Sequence, residues 1–372
     1  MKHLFHSVLI ILFSFGLGHA VFATQHTITD DVKREVTLNI PVKRVVTFNN
    51  YNHTFTDDVK RKVLINIPVK RVVTFNKYNT EFFRAVGGQS ILVGMAQDTN
   101  KLTNYWPGLG KNVIAGQNQR EPNYEKIVAL KPDLVVFPRN GAWEKAAEKL
   151  KQFEIPVVVI TGWDVLKHTS NIDLIGKLTG KSNRASQLNA LHKKYTDMIA
   201  DRLNGMQKRT IYLEKTVNYT TSVPGSGWHD MLVQAGAKNI FDDIDIAKQP
   251  KSKGNKHQLS IDPESILRRN PDIIVKQIGS DFVPPSQEKM AKAIQDLKKR
   301  PAWSELNAVK QERVYIMSYF IAGGISKLIG KLYIAKWLYP EKFQDVNPDQ
   351  VAKEWIETFQ GVKYPGSHTY SG

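Results

Sequence analysis

Apolar positions along this chain follow two rhythms. Over 182–205 they recur at Ala185, Leu188, Leu191, Tyr195, Met198/Ile199 and Leu203, with neither Gly nor Pro between Asn183 and Asn204. That is the spacing of one helical face. Ser182 or Asn183 is expected to accept the free N–H groups at the start, and Gly205 to take the left-handed turn at the end. At about 1.5 Å per residue such a helix spans roughly 33 Å, the width of a small domain. It is long enough to tie two domains together.

The second rhythm alternates short β-branched runs with helical segments on both sides of that helix. Before it, strands are expected at 72–75, 91–94, 134–137 and 157–160, separated by helices over 79–88, from 123, and over 142–153. After it, strands at 210–213, 239–241, 273–276 and 314–317 alternate with helices over 227–235, from 262, and over 287–299. Two closing helices, 324–338 and 348–359, finish the chain. Alternation of this kind gives parallel sheets covered by helices. The two halves also share a phrase. Glu125-Lys-Ile-Val-Ala-Leu-Lys-Pro132-Asp133-Leu-Val-Val matches Glu264-Ser-Ile-Leu-Arg-Arg-Asn-Pro271-Asp272-Ile-Ile-Val, with Pro seven residues after Glu in both. Each is a short helix begun by an acid, where the helix dipole favours negative charge, then a proline stop and a buried strand. Two α/β lobes of like design therefore flank one helix.

A tandem repeat precedes the first lobe. Residues 29–52 recur as 56–79, with 20 of 24 positions identical. Each copy predicts a hairpin (36–40; 63–67), a Pro turn and a strand (45–48; 72–75). The second copy is assigned to the sheet because Asn79-Thr80-Glu81 can cap the helix that follows, whereas Asn52 runs straight into the next copy. The resulting divisions are a duplicated N-terminal hairpin segment over 24–53, an N-terminal lobe over 54–164, a connecting helical segment over 165–207 and a C-terminal lobe over 208–372. The basic loop 248–257 lacks periodicity and is expected to be mobile.

Residues 1–23 add an address. Lys2, an apolar run over 8–17 and small residues ending at Ala23 have the layout of a secretory signal. The chain contains no cysteine, so neither a disulfide nor a lipid-bearing thiol is expected. The mature protein should be a free periplasmic monomer. A net charge of +17 favours anionic partners, but Lys and Arg are scattered and no nucleic-acid motif is present, so nucleic acid is not expected as a partner.

Several motifs together resemble one family. They are Asn79-Thr80-Glu81, the phrase from Asn123 to Val135, Gly225-Ser-Gly with Ala235-Gly236-Ala-Lys-Asn-Ile-Phe241, and Tyr339-Pro-Glu-Lys-Phe343. They resemble periplasmic substrate-binding proteins of ABC importers for ferric siderophores, haem, cobalamin and, in one branch, molybdate, the helical-backbone class III type. The resemblance implies two Rossmann-like lobes joined by one long connecting α-helix, a cleft between them and an ABC permease dimer as partner. It also implies that Glu125 and Glu264 meet arginines of that permease. No cofactor is implied, and an iron chelate is the expected ligand, with cobalamin or a molybdate or tungstate oxyanion as alternatives.

In parallel sheets, ligands bind beyond the carboxyl ends of the strands. The residues there are rich in cations and aromatics. Arg139 and Lys276 occupy nearly matching places in the two lobes and could hold an anion from both sides. Tyr78, Trp163, Tyr219, Trp228 and Tyr319 offer flat surfaces for a chelate or macrocycle. His229 or Tyr219 could ligate a haem iron, but the ten histidines show no short-range metal-ligand spacing. Ser226 lies in Pro224-Gly-Ser-Gly-Trp, which lacks the first glycine of a nucleophile elbow, and no other catalytic motif appears, so enzyme activity is not expected.

Overall fold

The structure, a computed structural model, describes residues 24–29, 35–40, 51–101, 104–249 and 254–372. The signal segment, the strand expected at 45–48 and residues 250–253 of the basic loop lie outside them. The chain divides into two compact units, Met1–Asn50 and Tyr51–Gly372.

In the first unit, Thr24–Thr29 pairs antiparallel with Glu35–Ile40, Thr24 opposite Ile40. The second unit opens with the same hairpin 27 residues later: Tyr51–Thr56 pairs with Lys62–Ile67, Tyr51 opposite Ile67. The repeated hairpin thus begins earlier than 29 and 56, because each copy includes the strand before the shared Thr-Asp-Asp sequence. Tyr51 and Asn52 belong to the second copy.

The second unit holds two five-stranded sheets. The N-terminal sheet is fully parallel, in the order Ile114–Gly116, Leu92–Ala96, Val72–Thr74, Leu134–Phe137, Val157–Val159. Its first strand comes from the second repeat copy, as the capping argument required. The C-terminal sheet runs Lys238–Asn239, Thr210–Glu214, Ile273–Ile278, Val314–Ser318, all parallel, with Thr369–Ser371 added antiparallel at the edge. Two edge strands, Ile114–Gly116 and Thr369–Ser371, carried too short an apolar run to be foreseen.

The shared Pro-Asp phrase has the same task in both lobes. Asp133 accepts from the amides of Lys70 (2.7 Å) and Arg71 (2.9 Å), just before the neighbouring strand Val72–Thr74. Asp272 accepts from the amide (2.6 Å) and hydroxyl (2.8 Å) of Thr210, which opens the neighbouring strand Thr210–Glu214. Each carboxylate locks the two central strands of its sheet in register.

The connecting helix spans Ser182–Arg202, 21 residues, and buries Ala185, Leu188, Leu191, His192 and Ile199. It packs on helices Lys77–Gly87 and His168–Thr179 of one half and on Gly227–Gln234 and Lys327–Leu338 of the other. No side chain caps its start, contrary to the expectation for Ser182 or Asn183; Gly205 does take a positive φ of 72°. Helix Lys77–Gly87 likewise starts earlier than foreseen, capped by Asn76, which accepts from the Tyr78 amide. Direct contacts also join the lobes: Tyr105 stacks on Phe282 at 4.8 Å and meets Phe320 edge-on at 5.1 Å. No helix among the described residues is long and apolar enough to cross a membrane.

The exposed edge Val157–Val159 is covered by the second-copy hairpin turn. Buried Asp57 accepts from the amides of Val59, Arg61 and Val159 and from the Arg61 guanidinium, while Arg61 also donates to the Val157 carbonyl. Such cover guards an edge strand against pairing with another chain. Asp57→Ala should lower the unfolding free energy in urea by about 1–3 kcal/mol, since it leaves buried donors unpaired; an unchanged midpoint would show that the turn does not hold the edge.

Candidate functional site

Chain order reverses in the N-terminal sheet between Val72–Thr74 and Leu134–Phe137, and in the C-terminal sheet between Thr210–Glu214 and Ile273–Ile278. Such reversals leave a crevice beyond the carboxyl ends of the strands. A cavity of about 210 Å³ lies there, lined by Asn76, Tyr78, Asn140 and Trp163 from one lobe and by Gly227, Trp228, His257, Tyr319 and Lys327 from the other.

The first four are set by the N-terminal strands. Asn76 sits one turn past Val72–Thr74 with φ 86°, a strained region for a residue with a side chain, and donates to the Gln119 side chain at 2.7 Å. Asn79, fully buried, donates to the Phe75 carbonyl and accepts from the Gly162 amide, fastening the loop that carries Trp163. The Trp163 indole donates to Asn140 (3.1 Å), and the Arg139 guanidinium lies 4.3 Å over its ring. Burial pushes the Tyr78 hydroxyl well above its ordinary pKa, with Tyr319 adding to the effect.

The C-terminal half contributes charge. Lys327, 1% exposed, donates to the Trp163 carbonyl across the cleft. Gly227 permits this approach: a Cβ there would stand 2.4 Å from the Trp163 oxygen and 2.9 Å from Lys327 Nζ. Lys215, 3% exposed, donates to Gln277 and stands 3.3 Å from the Trp228 ring centre, with Lys327 at 5.0 Å from the same ring. Among the described residues, neither lysine has a carboxylate within ion-pair distance. Burial lowers both, Lys327 to about 7 and Lys215 well below its usual value. His257 contacts Ser226 Oγ at 2.9 Å through Nδ1 and meets Trp163 edge-on at 5.0 Å. Burial and the surrounding cations bring it down to about 4.

Of the residues expected in the cleft, Tyr78, Trp163, Trp228 and Tyr319 line it together. Arg139 stands beside it over Trp163, its charge taken up by Asp164 at 2.7 Å. Lys276 and Tyr219 lie elsewhere, in a buried network behind the strands. Lys276 Nζ reaches Glu214 (2.8 Å), the Lys215 carbonyl (2.7 Å) and Asn218 (3.0 Å). Arg300 binds both oxygens of the same Glu214, whose carboxylate also accepts from the Tyr219 amide. The Tyr219 ring lies under Arg300 at 4.5 Å. Lys276 is therefore a counter-ion of Glu214 instead of the anion clamp opposite Arg139. His229 is buried against Asn239 (3.2 Å) and does not line the cavity. Ser226 is fully buried, and its oxygen accepts from the Trp228 amide as a helix cap; no carboxylate orients His257 among the described residues. No group of three or more His, Asp or Glu able to hold a metal occurs among them either. Glu125 and Glu264 are exposed in the first turns of helices Tyr124–Ala129 and Pro263–Arg269, as foreseen.

Lys215, His257 and Lys327 escaped the sequence reading. Lys215 directly follows its strand and could have been found by the same rule that gave Lys276. Lys327 opens a helix that also carries Lys331 and Lys336, so nothing in the sequence sets it apart. His257 was assigned to a mobile loop, whereas Gly254–Asn255 and Gln258–Ser260 form a small sheet with Thr220–Thr221 that presents it to the cleft.

Two parallel-sheet lobes, packed along one helix and enclosing a basic aromatic cleft between their switch points, define a two-lobed solute-binding protein. The chain belongs to the periplasmic binding protein family, whose sequence profile matches residues 72–319. It is 26% identical over 318 residues to the molybdate-binding protein MolA of Haemophilus influenzae, covering 74% of this chain and 85% of that one. It is 24% identical over 170 residues to the vitamin B12-binding protein of Vibrio campbellii, covering 45% of this chain and 58% of that one. The TroA-like periplasmic binding protein FepB of Veillonella parvula shares the fold, with a TM-score of 0.71 at 24% identity over 86% of this chain and 99% of that one.

The Glu214 network separates stability from binding. Burial alone would raise the Glu214 carboxyl, but hydrogen bonds and charge from Arg300 and Lys276 outweigh it and hold the pKa below the usual value. Its stabilising contribution is thus complete at neutral pH and is lost as pH falls below the ordinary glutamate range. Lys276→Ala should cost about 3–5 kcal/mol in urea unfolding, the scale for breaking a buried pair, while ligand affinity is unchanged. Loss of affinity without loss of stability would place Lys276 in the binding site after all.

Proposed function

We propose that this protein is the periplasmic solute-binding component of an ABC importer and that its ligand is a compact anion. The observation that carries the reading is Lys327, a buried ammonium on the cleft wall with no carboxylate partner among the described residues, backed by Lys215 across the Trp228 ring. A buried charge without a counter-ion is costly, and an anionic ligand supplies what the fold omits. Size points the same way. A cavity of about 210 Å³ suits an oxyanion or a small chelate better than a corrin or haem. The molybdate-binding relative matches over 85% of its length and the vitamin B12-binding relative over 58% of its own, which favours the smaller ligand. A small anionic iron chelate is the second reading, favoured by the four aromatic rings of the lining.

Export to the periplasm and transfer to a permease belong to the same proposal. Glu125 and Glu264 stand at equivalent helix starts on the two lobes, suited to meet paired cations on a permease dimer, though helix-dipole stabilisation of about 0.3–1 kcal/mol also accounts for an acid at each place.

Two experiments test this. Tryptophan fluorescence of the purified protein should be quenched by molybdate, sulfate or a small ferric chelate and not by cobalamin or haem; binding of cobalamin alone would reject the compact-anion reading. Replacing both Glu125 and Glu264 by Ala should abolish uptake in cells while binding in solution is retained, and uptake at the normal rate would remove the docking role.

A further inference from the structure

Lys327 and His257 line the cleft, and the charged groups around them come from several elements. Lys215 follows its strand, Arg139 and Asp164 belong to the Trp163 side, Lys256 and His257 to the small sheet, Asp230 to helix Gly227–Gln234, and Lys327 to the helix that follows Gly324–Ser326. His257 feels Lys256, Lys327, Lys215 and Arg139, and Lys327 feels only Asp164 and Asp230 as opposing charges. Four basic side chains thus stand around two carboxylates, an excess of two positive charges among the described residues once both buried lysines are protonated. His257 and buried His168, which also faces Lys327, are both held neutral at pH 7, the first at about 4 and the second well below its usual value. Lys331, one turn along the same helix, is turned to Thr196 and Gln234 and contributes no contact to the cavity. Burial keeps the neighbouring Tyr78 hydroxyl protonated.

Resting on the compact-anion reading above, we infer that the cleft selects its ligand by charge: Lys327 and Lys215 together reserve it for a dianion, and a monoanion of equal size binds weakly. The two ammonium groups sit on Trp228 at 3.3 and 5.0 Å from its centre, so a ligand against that ring meets both fields at once. Lys327, which lines the cavity, donates to one neutral oxygen, the Trp163 carbonyl, and keeps further N–H groups for a ligand, while Lys215, held by Gln277 and outside the lining, acts through its field.

The arrangement also couples binding to protons. Burial holds Lys327 at about 7, so above that pH the empty site is largely uncharged there, and an arriving anion restores the ammonium by drawing in a proton. The sign follows: affinity is greatest below pH 7 and falls as pH rises beyond it, approaching about tenfold per pH unit for each proton taken up.

The test uses two tetrahedral oxyanions of nearly equal size, tungstate as the dianion and perrhenate as the monoanion, titrated calorimetrically into the purified protein. Tungstate should bind roughly 30-fold or more tightly than perrhenate, the scale for one shielded charged partner. Its affinity should decline from pH 7 to 8.5, with proton uptake seen as a heat that depends on the buffer. Lys327→Met should weaken the pH dependence and narrow the gap between the anions, while Lys327→Arg keeps the gap and likewise weakens the pH dependence. Equal affinity for the two anions, or a pH profile unchanged in Lys327→Met, overturns the inference while leaving the compact-anion reading in place. If neither anion binds the unaltered protein, that reading fails and the inference falls with it.

Discussion

Register between central strands is the constraint on which this molecule depends. A slip of one residue turns every side chain of a strand to the opposite face. Asp133 and Asp272 prevent that slip by reaching sideways from the start of one switch-point strand to the amides that lead into its neighbour. With both strands fixed, the positions just beyond them are fixed too. Asn76, Asn140 and Lys215 occupy their places because two carboxylates at the far ends of the sheets hold the strands level.

This explains why so much of the fold could be read from the chain. The Pro-Asp phrase, the connecting helix and the alternation of runs are all local signals repeated in both halves. The repeat could be resolved for the same reason: the second copy leads directly into helix Lys77–Gly87. What could not be read depends on distant partners. Ser182 fails as a cap because tertiary packing, and not a side-chain hydrogen bond, starts the connecting helix. The expected clamp of Arg139 and Lys276 rested on matching positions past paired strands. Position alone cannot reveal that Glu214 and Arg300, far apart in sequence, already engage Lys276.

Lys327 was hidden for the opposite reason. In a helix that carries Lys327, Lys331 and Lys336 beside buried Leu328, Ile329, Leu332, Tyr333 and Ile334, each lysine looks like a side chain reaching solvent. Its meaning appears only when Gly227 brings the Trp163 carbonyl onto it from the other lobe. The lobes are therefore linked through the same group that faces the ligand. Binding chemistry and lobe contact share an ammonium.

A lysine whose proton is held this weakly is also a nucleophile. An amine with a pKa of about 7 carries a free lone pair at the pH where surface lysines are almost all protonated. Electrophiles that reach the empty cleft, such as cyanate, activated esters or aldehydes, would meet Lys327 on its wall as a partly free amine, unlike the exposed lysines of the chain. Occupancy by an anion returns the proton and silences that reactivity. Covalent capture at Lys327 would then record a cleft that is waiting to be filled.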